Sequence, residues 1–464
     1  VRSWLAVGLV AFGLGAGCGA RWVDAVVLDD AGPGDAGRRL PMPDAIAAAP
    51  TLVWPNPASS ANSDPWMTQH HDQIAELQPK VLLLDFANRF ATEAGGVVAA
   101  GYDLASTLQP LVQQHVEALM VASQYHGYKD PAAPAFLQYQ IAKIVDLRDG
   151  SASVNSALVP LTTSPAPAVD YAQLNNATFA RLMGYPDPKR PGAYLDLCSL
   201  FEQGVINEVW AMTADPVSPA DPPSVKFAPI AETKQAYDPA NGQLAGQLLC
   251  TSPTCIDKAL PCGVSVRILD FNPGRGAGCH LFDVGLVWQS YLSAGVLPAF
   301  ATAAKTFFNF DFDTRFGAPF QSFYDVCDPA SPPDAGPCIA WRSSTEAASG
   351  PAASKAFDFS PMSAGCGNVV FPPNATGYSV QGGDVTVLTS CENYGLHNGA
   401  GGLDVTTPYS NAMALADYGT NRAVASDCGG AQPSYLLASM PGLGTTAALS
   451  DGTPMKNWWV YLFY

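Results

Sequence analysis

The chain has 464 residues, too many for one small domain, and a composition of 48% hydrophobic against 14% charged residues excludes disorder for most of it. Forty acidic and 23 basic residues give a formal net charge of −17, which repels phosphate backbones and argues against a nucleic-acid partner. The same surplus of carboxylates suits divalent cations, and 42 Gly with 40 Pro indicate many turns and long loops.

Residues 1–17 read as an export signal: Arg2 is the one charge, and the apolar run from Leu5 to Leu14 is too short to span a bilayer. The run ends in Leu14-Gly15-Ala16-Gly17-Cys18, which resembles the lipobox of bacterial lipoproteins, with Leu14 one step early and Gly15 where a large apolar residue usually stands. That resemblance implies a lipid on Cys18 and a place at the outer membrane or cell surface; an ordinary cleaved signal is the plainer alternative. Setting Cys18 aside leaves ten of the eleven cysteines, an even number that predicts up to five disulfides in an oxidising compartment. No C-x-x-C pair occurs, which argues against structural zinc. No later apolar run reaches the roughly 18 residues of a membrane span, so any membrane contact is expected through Cys18 alone.

Residues 18–78 read as a Pro/Ala/Asp-rich tether, its last part carrying Trp54 and Trp66 towards the body and His70 and His71 as an exposed pair. An α/β body is expected over 79–310. Val81 to Leu84 is a short continuous apolar run suited to a strand buried on both faces, and further runs follow at Ile141–Val145, Val209–Met212 and Val264–Leu269. Between them, Leu108, Leu111, Val112, Val116, Leu119 and Met120 make one helical stripe, with Pro110 tolerable in the first turn. His115 lies on that stripe as a core residue, and His126 follows it, where a cationic ring would suit the helix dipole. Helices are also expected at 171–183, at 195–203 and over 282–308, the last broken near Pro298. Strands alternating with helices predict a mostly parallel sheet covered by helices on both faces. From 311 to 464 the chain is rich in Gly, Ser, Asn and Cys, and it reads as a disulfide-tied, loop-rich β lobe packed on the body. The aromatic end, Trp458 to Tyr464, reads as a final strand in the core or, if exposed, as a platform for sugar rings.

An aspartate closes or follows each apolar run: Asp85, Asp146, Asp215 and Asp270. Parallel strands end at one edge, and ligands of open α/β sheets bind in the crevice beyond it. Asp85, Asp215 and Asp270 are therefore the candidate acid/base groups. Asp85 and Asp270, joined by Glu232 from a loop, are the candidate ligands of a divalent cation. The plain alternative is that each Asp only caps a helix or shapes a turn. Glu208, at the start of the third run, belongs at the opposite edge. The loop Asn272-Pro273-Gly274-Arg275-Gly276-Ala277-Gly278-Cys279-His280 opens the long helix. There Gly274 and Gly276 let backbone approach a ligand, Arg275 suits an anionic group, and His280 is a candidate base or metal ligand. It is neither a dinucleotide fingerprint nor a Walker loop, and no G-x-S-x-G elbow occurs anywhere.

The segments VLLLDFANRF (81–90), LCSLFEQGVINEVW (197–210), FNPGRGAGCH (271–280), GCGNVVFPPNA (365–375), DCGG (427–430) and PMKNWWVYLFY (454–464) together resemble a group of large exported bacterial proteins with no known activity. The resemblance covers most of 80–464 and implies export and a shared architecture, with no substrate or catalytic residue attached. Two functions remain open from the sequence. One is an extracellular, hydrolase-like enzyme, metal-assisted or not, at the carboxyl edge of the sheet. The other is a non-catalytic surface protein that binds glycan or protein through its long loops.

Overall fold

A computed structural model describes residues 49–86, 108–148, 159, 161–162, 168–169, 171–212, 231–237, 244–249, 262–270, 276–294, 297–319, 339–342, 346–350, 356–358, 365–369, 371–374, 385–418 and 427–464. The continuous apolar run of Val81 to Leu84 forms the heart of strand β3 (Lys80–Asp85), whose side chains are buried on both faces. It is preceded by β1 (Leu52–Trp54), the short helix α1 (Pro65–His70) and β2 (Ile74–Leu77), which pairs in parallel with β1. The last part of the segment read as a tether is thus structured: Trp54 is fully buried, and so is His71, expected to be exposed. His71 sits between the Tyr464 hydroxyl and the Asn457 carbonyl, 2.8 Å from its Nε2, because the C-terminal residues pack over it.

The predicted helical stripe is α2 (Gln109–Ala122), which buries Val112, His115, Ala118, Leu119 and Ala122 at helical spacing. The hydroxyl of Ser123 ends it, accepting the amides of Phe136 (3.0 Å) and Leu137 (2.9 Å) and so turning the chain into β4 (Gln140–Asp146). A two-stranded ribbon, β5 (Leu161–Thr162) and β6 (Ala168–Val169), comes next. The helices α3 (Ala177–Met183) and α4 (Leu197–Glu202) follow, capped by the side chains of Asn176 and Asp196. The strands β7 (Glu208–Met212), β8 (Ala231–Tyr237), β9 (Leu244–Leu249) and β10 (Val266–Asp270) complete one six-stranded sheet of order β4-β3-β7-β10-β8-β9. β4, β3, β7 and β10 run parallel, whereas β8 is antiparallel to β10 and β9 to β8, so the sheet is mixed.

Side chains alternate through the sheet into two cores. Val81, Leu83, Trp210 and Met212 face one core with α2, α5 (Ala277–Ala294), α6 (Pro298–Phe307) and α9 (Ala431–Ser439). Leu82, Leu84, Val209 and Ala211 face the other with α3 and α4. The helix expected over 282–308, broken near Pro298, is α5 and α6, with Pro298 in the first position of α6 after the non-helical Leu297. The C-terminal part adds α7 (Phe312–Phe316), an antiparallel meander of β11 (Ile339–Trp341), β12 (Glu346–Ser349) and β13 (Ala356–Asp358), and the ribbon β14 (Val387–Thr389) with β15 (Thr407–Tyr409). It also holds α8 (Asn411–Tyr418), ahead of α9.

Among the described residues three disulfides are formed: Cys198–Cys262, Cys279–Cys428 and Cys366–Cys391. Cys250, Cys255, Cys327 and Cys338 lie outside the described residues. No described helix is long and apolar enough to cross a membrane.

The aromatic end is buried, but as a 3-10 helix over Trp458–Phe463 rather than a strand. Such a turn spreads consecutive side chains around three sides, which lets six bulky residues be buried at once where a strand would turn half of them outward. Trp458 packs on Phe300 and Phe307, Trp459 on Trp288, and Phe463 on Trp54. With both tryptophans enclosed, they offer no platform to a sugar ring.

Candidate functional site at the carboxyl edge of the sheet

In chain order the four parallel strands stand 2-1-3-4 across the sheet. The connection β3 to β4 carries α2 on one face, and the return from β4 to β7 carries α3 and α4 on the other. The chain therefore changes direction at β3, and the crevice beyond the carboxyl ends of β3 and β7 is the topological switch point, where open α/β sheets hold their ligands.

Asp85 ends β3 at that point. Register aligns it with Asp146 of β4 and Met212 of β7, and the Phe86 amide donates to the Met212 carbonyl at 2.9 Å. The Asp85 side chain is fully buried, with Arg148 Nε 3.5 Å from its Oδ2. Arg148 stands two residues beyond β4 and grips Asp146 with two prongs, Nε to Oδ1 at 2.8 Å and Nη2 to Oδ2 at 2.9 Å. One guanidinium thus spans two carboxylates, one enclosed and one partly open. Such a group suits the binding of a cationic or hydroxyl-rich ligand, or the orientation of a reacting group beside Asp85. The sequence reading singled out both aspartates but missed Arg148, whose spacing in Asp146-Leu147-Arg148 was the available signal.

Asp270 ends β10 opposite Ala211, whereas Asp85 stands opposite Met212. The two aspartates thus occupy alternate positions of the pleat, two strands and roughly 10 Å apart. Glu232 lies within β8, not in a loop, and pairs in register with Arg267, three residues before the end of β10. That places it roughly 10 Å back from the carboxyl edge, because β8 runs antiparallel along β10 rather than over it. Gly276 leads directly into α5, and its carbonyl accepts the Cys279 amide at 3.1 Å. Asp215, Gly274, Arg275 and Cys18 lie outside the described residues. Among the described residues, no group of three or more His, Cys, Asp or Glu converges as a cation site.

His280 is buried in the first turn of α5. Its Nδ1 is 3.2 Å from Nδ1 of His115 on α2, and its ring meets the edge of Trp210. Burial holds both imidazoles neutral: it pushes His115 down to about 3, and it lowers His280 well below its ordinary value, with His115 and Arg267 adding to the effect. The pair sits under the sheet, between two helices. His126, expected to be cationic, adopts a left-handed backbone beyond α2 and is driven down to about 4, first by burial and then by Lys129.

At the opposite, amino end of β7, Glu208 is fully buried. Its carboxylate accepts from Trp210 Nε1 (2.6 Å), Tyr139 Oη (3.1 Å) and Arg267 Nε (2.9 Å), and Arg267 Nη2 also reaches it. Arg267 in turn donates to the Leu462 carbonyl at 2.6 Å and lies over the ring of Phe463. The expected edge for Glu208 is the observed one; its partner Arg267 was not legible in the sequence.

No protein-family model, no curated protein and no solved structure matches the chain. The fold and the Asp85–Arg148–Asp146 group therefore carry the functional argument on their own.

Proposed function

We propose that the protein is an exported, hydrolase-like enzyme held at a bacterial surface by a lipid on Cys18, with an acidic site at the carboxyl edge of its sheet. The observation that supports this reading is the coincidence of a fully buried carboxylate, Asp85, with the switch point of the parallel strands. In this reading Arg148 fixes the orientation of Asp85, and Asp215 and Asp270 supply further acid/base or cation-binding groups. The loop 272–276, with Gly274, Arg275 and Gly276, cradles an anionic part of the substrate. A divalent cation is part of the proposal as a ligand of the acidic edge.

The test uses the full chain, exported so that its disulfides form, against panels of ester, phosphoester, glycoside and amide substrates. One class is expected to be turned over, and Asp85→Asn is expected to lower that rate by about 100-fold or more with the melting temperature kept. Turnover that survives Asp85→Asn, or no turnover of any class above the Asp85→Asn background, overturns the reading. The anchor is tested separately: Cys18→Ser is expected to move the protein from the membrane fraction to the soluble fraction, since a lost acyl chain removes about 0.8 kcal/mol per buried CH₂.

A further inference from the structure

Backbone carbonyls surround both nitrogens of one imidazole at the surface. His397 Nδ1 lies 3.1 Å from the Gly402 carbonyl, and Nε2 lies 2.9 Å from the Ala448 carbonyl and 3.2 Å from that of Leu449. A carbonyl oxygen only accepts, so each nitrogen must bring a hydrogen, and a neutral imidazole has one. Either neutral tautomer sets a lone pair against oxygen: at Nε2 against two carbonyls, or at Nδ1 against Gly402 and the Asp404 carboxylate, 3.6 Å away. The doubly protonated ring satisfies all three carbonyls at once, with Asp404 as its counter-charge. His71 is the contrast: its second partner is the Tyr464 hydroxyl, which can donate, so that ring serves as a neutral group.

The ring joins two parts of the chain, the loop 393–405 and the turn 447–455. Beside it the Ala448 amide donates to the Gly395 carbonyl at 2.8 Å. His397 takes a left-handed backbone, φ 49°, which is costly for a residue with a side chain. Asp404 holds it there by accepting the amides of Gly395 and His397, each at 2.8 Å. The loop is also closed on itself: Asn398 Oδ1 accepts the Val405 amide and Asn393 Nδ2 donates to the Val405 carbonyl, each at 3.0 Å. It therefore keeps its shape if the ring lets go of the turn. The other titratable groups nearby are engaged elsewhere. Asp451, on the turn, accepts the Thr453 amide at 2.9 Å, Lys456 just beyond it pairs with Asp72 at 3.0 Å, and the Tyr394 hydroxyl donates to the Ala303 carbonyl. Neither 393–405 nor 447–455 contains a lysine or arginine, so no fixed positive charge within them opposes the imidazolium.

We infer that His397 is a proton-operated clasp: doubly protonated, it fastens the loop 393–405 to the turn at 448–449, and loss of one proton releases the loop. The side chain is 36% exposed, so protons reach it without unfolding. Its sign is opposite to that of the enclosed His115 and His280, which burial keeps neutral. The clasp is complete in acid and is lost as pH rises, in the range where imidazole charge ordinarily changes, about pH 5 to 8. It uses no residue of the acidic edge and stands apart from the activity proposed there.

The test follows hydrogen exchange of the full chain, exported with its disulfides formed, by mass spectrometry at about pH 5.5 and about pH 8.5. Rates are divided by those of an unstructured peptide at the same pH, so that protection alone is compared. In the wild type, protection across 393–405 is expected to fall about tenfold or more at the higher pH, the order that one lost charge-assisted hydrogen bond gives. His397→Asn, which does not titrate and tolerates a left-handed backbone, is expected to show the lower protection at both values. Wild-type protection that is the same at both values overturns the proposal without any variant, and high protection in His397→Asn overturns it too. A fall of equal size in His397→Asn, or one shared by the peptides of α2, assigns the change to another group or to loosening of the whole chain, with the same consequence.

Discussion

Glu208→Gln is expected to cost about 3–5 kcal/mol of stability, because it breaks the buried Glu208–Arg267 ion pair by removing one partner. The carboxylate is fully enclosed and receives donors from Trp210, Tyr139 and Arg267 at once. Glutamine would turn an amide N–H₂ towards donors, so the variant loses acceptor capacity as well as charge. The same environment raises the Tyr139 hydroxyl well above its ordinary value, by burial first and then by the Glu208 charge. Urea unfolding followed by tryptophan fluorescence checks the expectation; a loss below about 1 kcal/mol would show that water reaches the pair. The control is Asp313→Asn, which breaks the Lys305–Asp313 pair at the surface (3.2 Å) and is expected to cost about 0.5 kcal/mol or less. Removing both partners, Glu208→Met with Arg267→Met, is expected to recover much of the loss, since the ion pair is then removed whole.

A second large effect is expected from acid. His71 and His115 are each held at about 3, by burial above all; at His71, Lys456 lowers further while Asp72 and the Asn457 carbonyl oppose. His280 is displaced in the same direction. A depressed basic group binds its proton more readily in the unfolded chain, so the native state is favoured in full above the unfolded value near 6.5 and loses that advantage as pH falls towards 3. Two units of descent, from 6.5 to 4.5, weaken the fold by about 2.7 kcal/mol for each such histidine, hence about 5 kcal/mol for His71 and His115 together. At His71 Asp72 and the Asn457 carbonyl offset burial only in part. His115 meets the His280 ring, with Arg267 acting on His280 from the sheet, and His71 meets Tyr464 and Tyr461. Denaturant unfolding measured from pH 7 to 4.5 should show this steep decline, and a flat profile would refute it. His115→Gln should remove about one proton from the slope.

Much of the frame is legible in local pattern. The runs Val81–Leu84 and Val209–Met212 are strands because a strand covered on both faces needs apolar side chains at every position, and that requirement is written in consecutive residues. The stripe of α2 is read the same way at helical period, including the place of His115 on its buried side. The aromatic end is buried, as its apolar mass demanded, yet as a 3-10 helix, because its conformation answers to the space between α5, α6 and the N-terminal strand. The candidate site was half legible. Aspartates at strand ends are visible as a pattern, but whether they share a site depends on register, and register sets Asp85 and Asp270 on alternate positions of the pleat.

The sequence by itself determined the class of the fold, the acidic character of the surface and the wealth of cysteines from which Cys198–Cys262, Cys279–Cys428 and Cys366–Cys391 form. Each is a matter of composition or of a period shorter than one helix or strand. Only the tertiary structure decided that Arg148 spans Asp85 and Asp146, that Arg267 neutralises Glu208 59 residues away, and that His115 and His280 meet across 165 residues. These pairings arise where crossovers bring distant segments together. A buried charge or ring must then be satisfied by whatever the packing places beside it, and no local period encodes which residue that will be.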